Sequence, residues 1–132
     1  MGADDRTQYT PVGWPTVTPR IVAHDAAGLV RFIRAVFDAR GEYRAGAPAV
    51  LSIGDSRLMV SDAGERGPVA AFLYVYVADA DRTYRRAIAA GARSIEAPLE
   101  VAYGDRRAMV EDAWGNVWQI ATRLAAAPGD RP

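Results

Sequence analysis

The sequence predicts an α+β fold in which two βαβββ modules follow one another in a single domain of a 132-residue chain. Three observations predict it. Each half begins with a strand-like run that leads into an amphipathic helix, three short strand-like segments follow each helix, and a Gly- and Pro-containing loop at 64–68 separates the halves. The modules span 14–63 and 69–123. We expect a flexible N-terminal arm at 1–13 and a disordered tail at 124–132.

The first module opens with residues 16–23, whose β-branched side chains favour a strand with a proline near its start. Asp25 occupies the position of a helix N-cap. Apolar residues then recur at the spacing of one helical face, which predicts a helix with one buried stripe. The stripe consists of Leu29, Phe32, Ile33, Val36 and Phe37. Gly41 lies just beyond the predicted helix end.

Three short strands are predicted after this helix, at 41–45, 48–53 and 57–62. Gly46 and Gly54 mark the turns between them, because glycine adopts the positive φ angles that tight turns require. The third of these strands completes the first module.

The second module begins with the strongly apolar run 70–77, which predicts a strand. Asp79 or Asp81 caps the helix that follows, and Gly91 ends it. The inner face of this helix consists of Tyr84, Ala87 and Ile88. Three further strands are predicted at 93–101, 105–111 and 117–122.

A ten-residue echo links the two halves. GDSRLMVSDA, 54–63, and GDRRAMVEDA, 104–113, agree at seven of ten positions. In the order of elements, however, the last strand of the first half corresponds to 117–122, so the second decapeptide comes one strand too early. We interpret the echo as two similar β-turns in which a glycine takes positive φ, and the duplication as resting on element order instead.

Composition excludes several classes of function. Sixteen basic and sixteen acidic residues leave no net charge, so nothing favours binding to nucleic acid or to an acidic membrane. All the bases are arginine, which excludes Schiff-base chemistry, and the absence of cysteine excludes disulfides and thiolate chemistry. No signal-peptide pattern or membrane-spanning run is present, and we expect a cytoplasmic protein.

Four stretches resemble the vicinal oxygen chelate superfamily, which includes glyoxalase I, bleomycin-resistance proteins, fosfomycin-resistance enzymes and extradiol dioxygenases. They are GWPTVTPRIVAHDAAGLVRFIRAVFDARGEY, SIGDSRLMVSDA, YVADADRTYRRAIAAGA and GDRRAMVEDAWGNVWQIAT. The resemblance covers about 13–123 and is greatest to the PhnB-like, glyoxalase-like branch. The last stretch is similar to the family run D-P-x-G-N-x-W-x-I-A-T, with Ala113 in place of the usual proline.

The resemblance implies open, U-shaped sheets around a central cleft, and commonly a homodimer with the cleft near the subunit boundary. Metal-dependent members use one ligand, usually His or Glu, from each of four strands. Those places correspond to Thr18, Met59, Phe72 or Tyr74, and Gln119. These side chains do not suit a divalent cation, and the single histidine, His24, is typical of a surface or capping residue. We therefore predict no metal and no cofactor.

The cleft would then be apolar with a few polar groups. Phe72, Tyr74 and Tyr76 share one face of their strand, and Leu73, Val75 and Val77 share the other. The aromatic face either lines the cleft or packs under the helices, and the residues leave both possibilities open. Two tryptophans are further candidates. Trp14 could close over the mouth of the cleft, and the turn residue Trp114 could lie at an interface or act as a ligand lid.

Two functions fit this pattern. The first is a metal-free homodimer that binds a small apolar or aromatic molecule, as in drug sequestration or resistance. The second is a lyase or isomerase that uses a cleft tyrosine, glutamine or carboxylate as acid or base. It would become metal-dependent only if the ligand places are misaligned. A degenerate paralogue with an interaction role is a third possibility. Acid–base candidates are Asp62, Glu96, Glu100 and Glu111; anion-binding candidates are Tyr103, Arg106 and Arg107.

Overall fold

A computed structural model describes residues 9–124. In the first module, strand β1 (Arg20–Ala23) leads into helix α1 (Ala26–Phe37), followed by strands β2 (Ala49–Ile53) and β3 (Ser56–Asp62). The Asp25 carboxylate accepts a hydrogen bond from the Gly28 amide at 3.1 Å, which confirms the predicted N-cap. The whole predicted apolar stripe of α1 is buried.

The second module contains strand β4 (Phe72–Tyr76), helix α2 (Ala80–Ala89) and strands β5 (Arg93–Glu100), β6 (Asp105–Glu111) and β7 (Val117–Arg123). Asp79, rather than Asp81, caps α2 by accepting a hydrogen bond from the Arg82 amide at 3.1 Å. The tandem α+β architecture is therefore the predicted one. Neither helix in the described part of the chain is long and apolar enough to cross a membrane.

The two sheets have equivalent topologies. The first has the order β1-β3-β2 and the second β4-β7-β6-β5. In both, the first strand of the module pairs in parallel with the last one, and the last pairs antiparallel with the strand before it. The strand β3 is thus equivalent to β7, and the decapeptide echo falls on β3 and β6. The out-of-register interpretation is confirmed, and both turn glycines, Gly54 and Gly104, have positive φ.

Three local predictions were wrong. Residues 41–45 form no strand, because only Arg40 bridges to Ser52 before Gly41, at φ +116°, turns the chain away from β2. The segment 16–19 precedes β1 instead of belonging to it. On α2, Ile88 is 38% exposed, and the buried face consists of Ala80, Thr83 and Ala87.

The hydrophobic core lies where one face of each sheet meets the helices. We call this the helix face of a sheet, and the opposite side its open face. In the second sheet, Trp118 and Ile120 lie on the helix face and are fully buried. Trp118 packs against Phe37 of α1 with ring centroids 4.9 Å apart, so α1 contributes to the core of both modules. Val22 and Val69 add two backbone hydrogen bonds between the modules.

Candidate functional site

The open face of the second sheet carries a group of aromatic and charged side chains. Strand register places three rows of side chains on it across β4, β7 and β6, and a fourth row across β7 and β6. The rows are Phe72–Val117–Glu111, Tyr74–Gln119–Met109, Tyr76–Ala121–Arg107 and Arg123–Asp105. Aromatic residues therefore lie along β4, whereas charged residues lie along β6, with β7 between them.

Asp105 organises these residues into a cluster. Its side chain is fully buried, and its Oδ2 accepts hydrogen bonds from the hydroxyls of Tyr74 at 2.5 Å and Tyr76 at 2.8 Å. Its other oxygen, Oδ1, lies 3.3 Å from Nε of Arg123, its cross-strand neighbour. A buried carboxylate is thus compensated by two phenols and one guanidinium.

The side chains of Tyr74 and Tyr76 extend across the sheet. They originate on β4, but their hydroxyls reach a carboxylate on β6, so the rings cross the intervening strand β7. Two strand spacings amount to about 10 Å, which only a long, extended side chain can span. Ala121 lies on the open face of β7 beside Tyr76 and is fully buried. A small residue at this position leaves room for rings to pass over the strand.

A second polar group extends the cluster. The Tyr103 hydroxyl lies 3.0 Å from the Tyr74 hydroxyl and accepts a hydrogen bond from Arg107 Nη1 at 3.2 Å. Arg107 Nη2 also binds Glu96. Register shifts on either side of Glu96 interrupt the pairing of β5 with β6 at this point. Four charged side chains therefore meet here as two cation–anion pairs.

The cluster makes the phenols of Tyr74 and Tyr76 weaker acids than a solvated tyrosine. Burial, followed by the hydrogen bond to Asp105, raises the pKa of Tyr74 far above its ordinary range. For Tyr76 the hydrogen bond to Asp105 is the main cause of a raised pKa. Both side chains are neutral hydrogen-bond donors at physiological pH, and their donated protons are already engaged.

A cavity of about 340 Å³ lies between the β2–β3 turn and strand β4. Its walls are mainly apolar, with Tyr74, Tyr76 and Trp118 as the aromatic members. The other lining residues are Pro19, Ile53, Gly54, Asp55, Ser56, Arg57, Leu58, Leu73 and Val75. This volume is in the range of small-molecule sites.

The cavity lies at the free edge of β4. The alternating pattern left open whether the aromatic face of this strand lines a cleft or packs under the helices, and here it lines the cavity. Residues from both faces of this strand line it, since Leu73 and Val75 point to the helix face and the two tyrosines to the open face. A second cavity of about 200 Å³ lies between the helices and shares Ile53, Gly54 and Tyr76 with the first.

Among the predicted site residues, the structure brings Tyr74 and Tyr76 to the cavity. Gln119 is the register partner of Tyr74 and lies beside it on the open face. Phe72 occupies the same face two residues away and is 67% exposed. These four residues share the open face, and two of them, Tyr74 and Tyr76, line the cavity.

The other predicted residues lie elsewhere. Thr18 precedes β1, and the residue paired with Met59 on that strand is Arg20. Trp14 lies under the guanidinium of Arg57, 4.9 Å from its ring centroid, and so borders the cavity through a lining residue.

Trp114 belongs to the packing between the modules. Its ring is 6.1 Å from that of Phe32 on α1, measured between centroids. A Cβ atom added at Gly28 would lie 2.9 Å from Trp114 Cζ2, so glycine allows this tryptophan to approach the helix. Trp114 does not line the cavity beside β4.

The residues present do not fit a divalent metal. Strand pairing places Arg20 beside Met59 in the first sheet and Tyr74 beside Gln119 in the second. None of these four side chains offers a carboxylate or an imidazole. Within residues 9–124, no group of three or more His, Asp or Glu side chains is arranged to hold an ion. We therefore derive no step through a metal.

Sequence reasoning missed Asp105, the centre of the cluster. The residue follows a turn glycine, a setting typical of a solvated aspartate, and no local pattern indicates its burial. The three anion-binding candidates do not lie together. Tyr103 and Arg107 join the cluster, whereas Arg106 points to the helix face and binds Asp81 with Nε–Oδ1 and Nη2–Oδ2 distances of 2.6 and 3.0 Å.

Comparison with known proteins agrees with this architecture. A family model described as the glyoxalase/bleomycin resistance protein/dioxygenase superfamily matches residues 19–120, and the chain belongs to that superfamily. An uncharacterized Mycobacterium bovis protein is 28% identical over 124 residues, which cover 80% of this chain and 82% of that protein. An uncharacterized Mycobacterium tuberculosis protein has the same identity, with 73% of its length covered. The narrower PhnB-like resemblance stays a prediction.

Several solved structures share the fold. TioX from Micromonospora sp. ML1 is 25% identical, with a TM-score of 0.71 over 83% of this chain and 99% of its own. A superfamily enzyme from Burkholderia phytofirmans is 24% identical, with a TM-score of 0.69 over 81% of this chain and 97% of that one. The fosfomycin resistance protein FosX from Mesorhizobium loti, 18% identical, has a TM-score of 0.62 over 85% and 93%.

Proposed function

We propose that this member of the glyoxalase/bleomycin resistance/dioxygenase superfamily binds a small, planar, largely apolar molecule without a metal ion. The observation that carries the proposal is the cavity of about 340 Å³ beside β4, with its two tyrosines and one tryptophan. Aromatic walls favour flat ligands, because rings gain contact area and stacking energy when they pack face to face or edge to face.

The chemistry of the tyrosines supports binding over catalysis. A metal-independent lyase or isomerase needs an acid or base whose pKa lies near the working pH. The raised pKa values of Tyr74 and Tyr76 keep both phenols protonated at neutral pH and move them away from the range of an efficient acid or base. Their hydrogen bonds to Asp105 leave them suited to forming a fixed surface.

Sequestration in a homodimer is part of the proposal. Superfamily members often form dimers and generally bind small molecules. Phe72 is 67% exposed on the open face, and a second copy would cover such a residue. Resistance to a toxic compound, which the superfamily description names for bleomycin, is the physiological role we propose. The cytoplasmic location stays a prediction.

Binding can be tested through tryptophan fluorescence, because Trp118 lines the cavity. Planar aromatic compounds are titrated into the protein, and each compound is recovered afterwards and analysed by chromatography. We expect saturable quenching, with one molecule bound per chain and the compound unchanged. Tyr74→Ala weakens binding, whereas Tyr9→Ala, at an exposed residue that does not line the cavity, serves as the control.

Two results would overturn the proposal. Conversion of a bound compound would establish an enzyme. Elemental analysis that finds one divalent ion per chain, together with a rise in melting temperature on addition of Ni, Zn, Mn, Co or Fe(II), would establish a metal-dependent protein.

A further inference from the structure

Ligand binding in the cavity does not by itself explain why the charged side chain of Asp105 is buried. It is fully buried at the start of β6, yet it does not line the cavity. Placing a carboxylate under a sheet surface is costly unless the protein compensates it. The compensation comes from the Arg123 guanidinium and from two phenols, and the phenols belong to the cavity wall.

The carboxylate determines how the two rings lie. Tyr74 and Tyr76 are exposed enough that packing alone does not immobilise them. Both hydroxyls bind the same oxygen, Oδ2, which draws the rings together with centroids 5.3 Å apart and an angle of 56° between their planes. The result is a tyrosine platform, Tyr74 and Tyr76, whose upper surface is accessible and whose hydroxyl edge is held from below.

The same hydrogen bonds make the platform more electron-rich. The face of an aromatic ring carries the negative part of its quadrupole. A phenol that donates a hydrogen bond to a carboxylate gains electron density. Tyr74 and Tyr76 each donate one such hydrogen bond to Asp105. Cations are attracted to such faces, and more strongly where water is excluded.

Other charges near the platform balance one another. Arg107 is paired with Glu96, and Arg123 lies against Asp105 itself. On the opposite wall, the cavity contains one acid, Asp55, and one base, Arg57. Because these charges cancel, the two aromatic rings and their hydrogen bonds to Asp105 determine which ligand charge the platform prefers.

We propose that Asp105 is a positioning residue that turns Tyr74 and Tyr76 into a platform for a planar cation or another electron-poor aromatic group. The inference deepens the proposed function, on which it rests, by naming the ligand class. It assigns Asp105 no contact with the ligand. Its effect is transmitted through the two phenols.

Three probes of nearly equal size test the preference: the cation 1-methylquinolinium, the neutral 1-methylnaphthalene and the anion 1-naphthoate. Their dissociation constants are measured by quenching of tryptophan fluorescence. We expect the cation to bind about tenfold more tightly than the neutral probe, and the anion to bind most weakly. Equal binding of cation and neutral probe, or tightest binding of naphthoate, would overturn the inference while leaving the proposed function in place.

Variants distinguish the effect of the Asp105 carboxylate on ligand preference from the effect of other charges on the same face. Asp105→Asn keeps the shape and removes the charge, so the preference for the cation should fall towards onefold. Glu111→Gln makes the same chemical change on the same strand and the same face, where Glu111 binds Arg93, and should leave the preference unchanged. If Asp105→Asn does not fold, the double variant Tyr74→Phe/Tyr76→Phe removes both hydrogen bonds and keeps the rings.

A ligand-independent measurement completes the test. Tyrosinate formation is followed by ultraviolet absorbance as the pH rises. In the unaltered protein Tyr43, Tyr74 and Tyr76 should titrate above the ordinary value of 10. In Asp105→Asn only Tyr74 and Tyr76 should move down towards that value, because Tyr43 donates its hydrogen bond to Asp62 instead. An unchanged titration curve would disprove the positioning role. If none of the probes binds, the proposed function fails, and the ligand preference that rests on it fails too.

Discussion

The first and second modules place their strands in the same order but use their side chains differently. In each, the first strand lies parallel to the last, and a helix covers one face of the sheet. The first helical amide is held by a side chain from the last strand in both modules. Asp62 Oδ1 accepts from the Ala26 amide at 3.3 Å, and Thr122 Oγ1 accepts from the Ala80 amide at 2.8 Å.

The helices differ in how much they bury. Eight residues of α1 are buried, against three of α2. The reason is position, since α1 packs on its own sheet and also contacts Trp114 and Trp118 of the second module. The helix of the first module therefore supports both modules, whereas α2 covers mainly its own sheet.

The open faces differ in chemistry. On the first sheet, one row consists of Arg20, Met59 and Val50, and Arg20 donates a hydrogen bond to Ser61 at 2.9 Å. The second sheet carries Asp105 and its tyrosines. Equivalent topology therefore does not imply an equivalent site, because a few side chains on one face are enough to create one.

The largest expected effect lies in the turn before the last strand of the second module. In the second module, Asp112 is buried and accepts hydrogen bonds from the amides of Trp114 and Asn116, from Asn116 Nδ2 and from Trp118 Nε1. Asp112→Ala should lower the free energy of unfolding by about 4 kcal/mol, because buried donors lose their acceptor. Urea unfolding measures the change.

The equivalent turn of the first module provides the control. Asp55 is exposed there, and Asp55→Ala should change the free energy of unfolding by less than about 0.5 kcal/mol. Equal losses for the two variants would contradict the view that only the second turn is tied into the core.

The helices offer a matched pair of substitutions. Ile33 of α1 is fully buried, so Ile33→Ala should cost about 3 kcal/mol through lost contacts and a cavity. Ile88 of α2 is 38% exposed, and Ile88→Ala should cost less than about 1 kcal/mol. Denaturant melts of both variants compare the helices directly. A larger loss at Ile88 would reverse the assignment of α1 as the shared core helix.

Substitution of the N-cap residues should show a smaller difference in stability between the two modules. Asp79→Ala removes one capping hydrogen bond, at a cost of about 1 kcal/mol. Asp25→Ala should cost about 2 kcal/mol, because Asp25 also has φ 58° and alanine is strained in that region. Thermal unfolding tests this. Asp25→Asn should lose less than Asp25→Ala, since asparagine tolerates positive φ, and the reverse order would contradict the strain argument.

The smallest effect concerns the ion pair between the helices. Arg86 donates to both oxygens of Asp38 at 2.9 and 3.2 Å, and this guanidinium lowers the pKa of Asp38 below its ordinary value of 3.8. Because the folded pKa is the lower one, the stabilisation is complete above the unfolded pKa and is lost as the pH falls through the folded pKa.

Measuring unfolding free energy below pH 5 tests this ion pair. Arg86→Gln should flatten the acid dependence, whereas Arg31→Gln, on the exposed side of α1, should not. An unchanged slope in Arg86→Gln would show that the exposed pair contributes nothing measurable, as many surface pairs do.

Most of the fold could be predicted because it depends on local patterns. The α1 stripe and the N-cap at Asp25 were predicted from spacing, and the N-cap of α2 was narrowed to Asp79 or Asp81. All seven described strands overlap predicted ones. The strand predicted at 41–45 failed because its local composition is compatible with a strand, while Gly41 directs the chain away after a single bridge. The flexible arm and tail stay predictions, since 1–8 and 125–132 lie outside the described residues.

The site could be predicted only in part. Alternation along β4 placed Tyr74 and Tyr76 on one face, and the resemblance directed attention to that strand. Their partner Asp105 gave no signal, because burial of an aspartate after a turn glycine depends on what folds over it. Trp114 was a candidate for the ligand site, but its contact is with α1, which no local pattern indicates.

The sequence by itself determined the alternation of helices and strands and the division into two modules, since periodicity and turn residues carry that information. Only the tertiary structure decided where the cavity lies and what surrounds it. The second sheet has the order β4-β7-β6, so Tyr76 and Asp105 meet across a strand that follows both of them in the chain. Strand order in space is set by packing of the whole domain, and the site depends on that order.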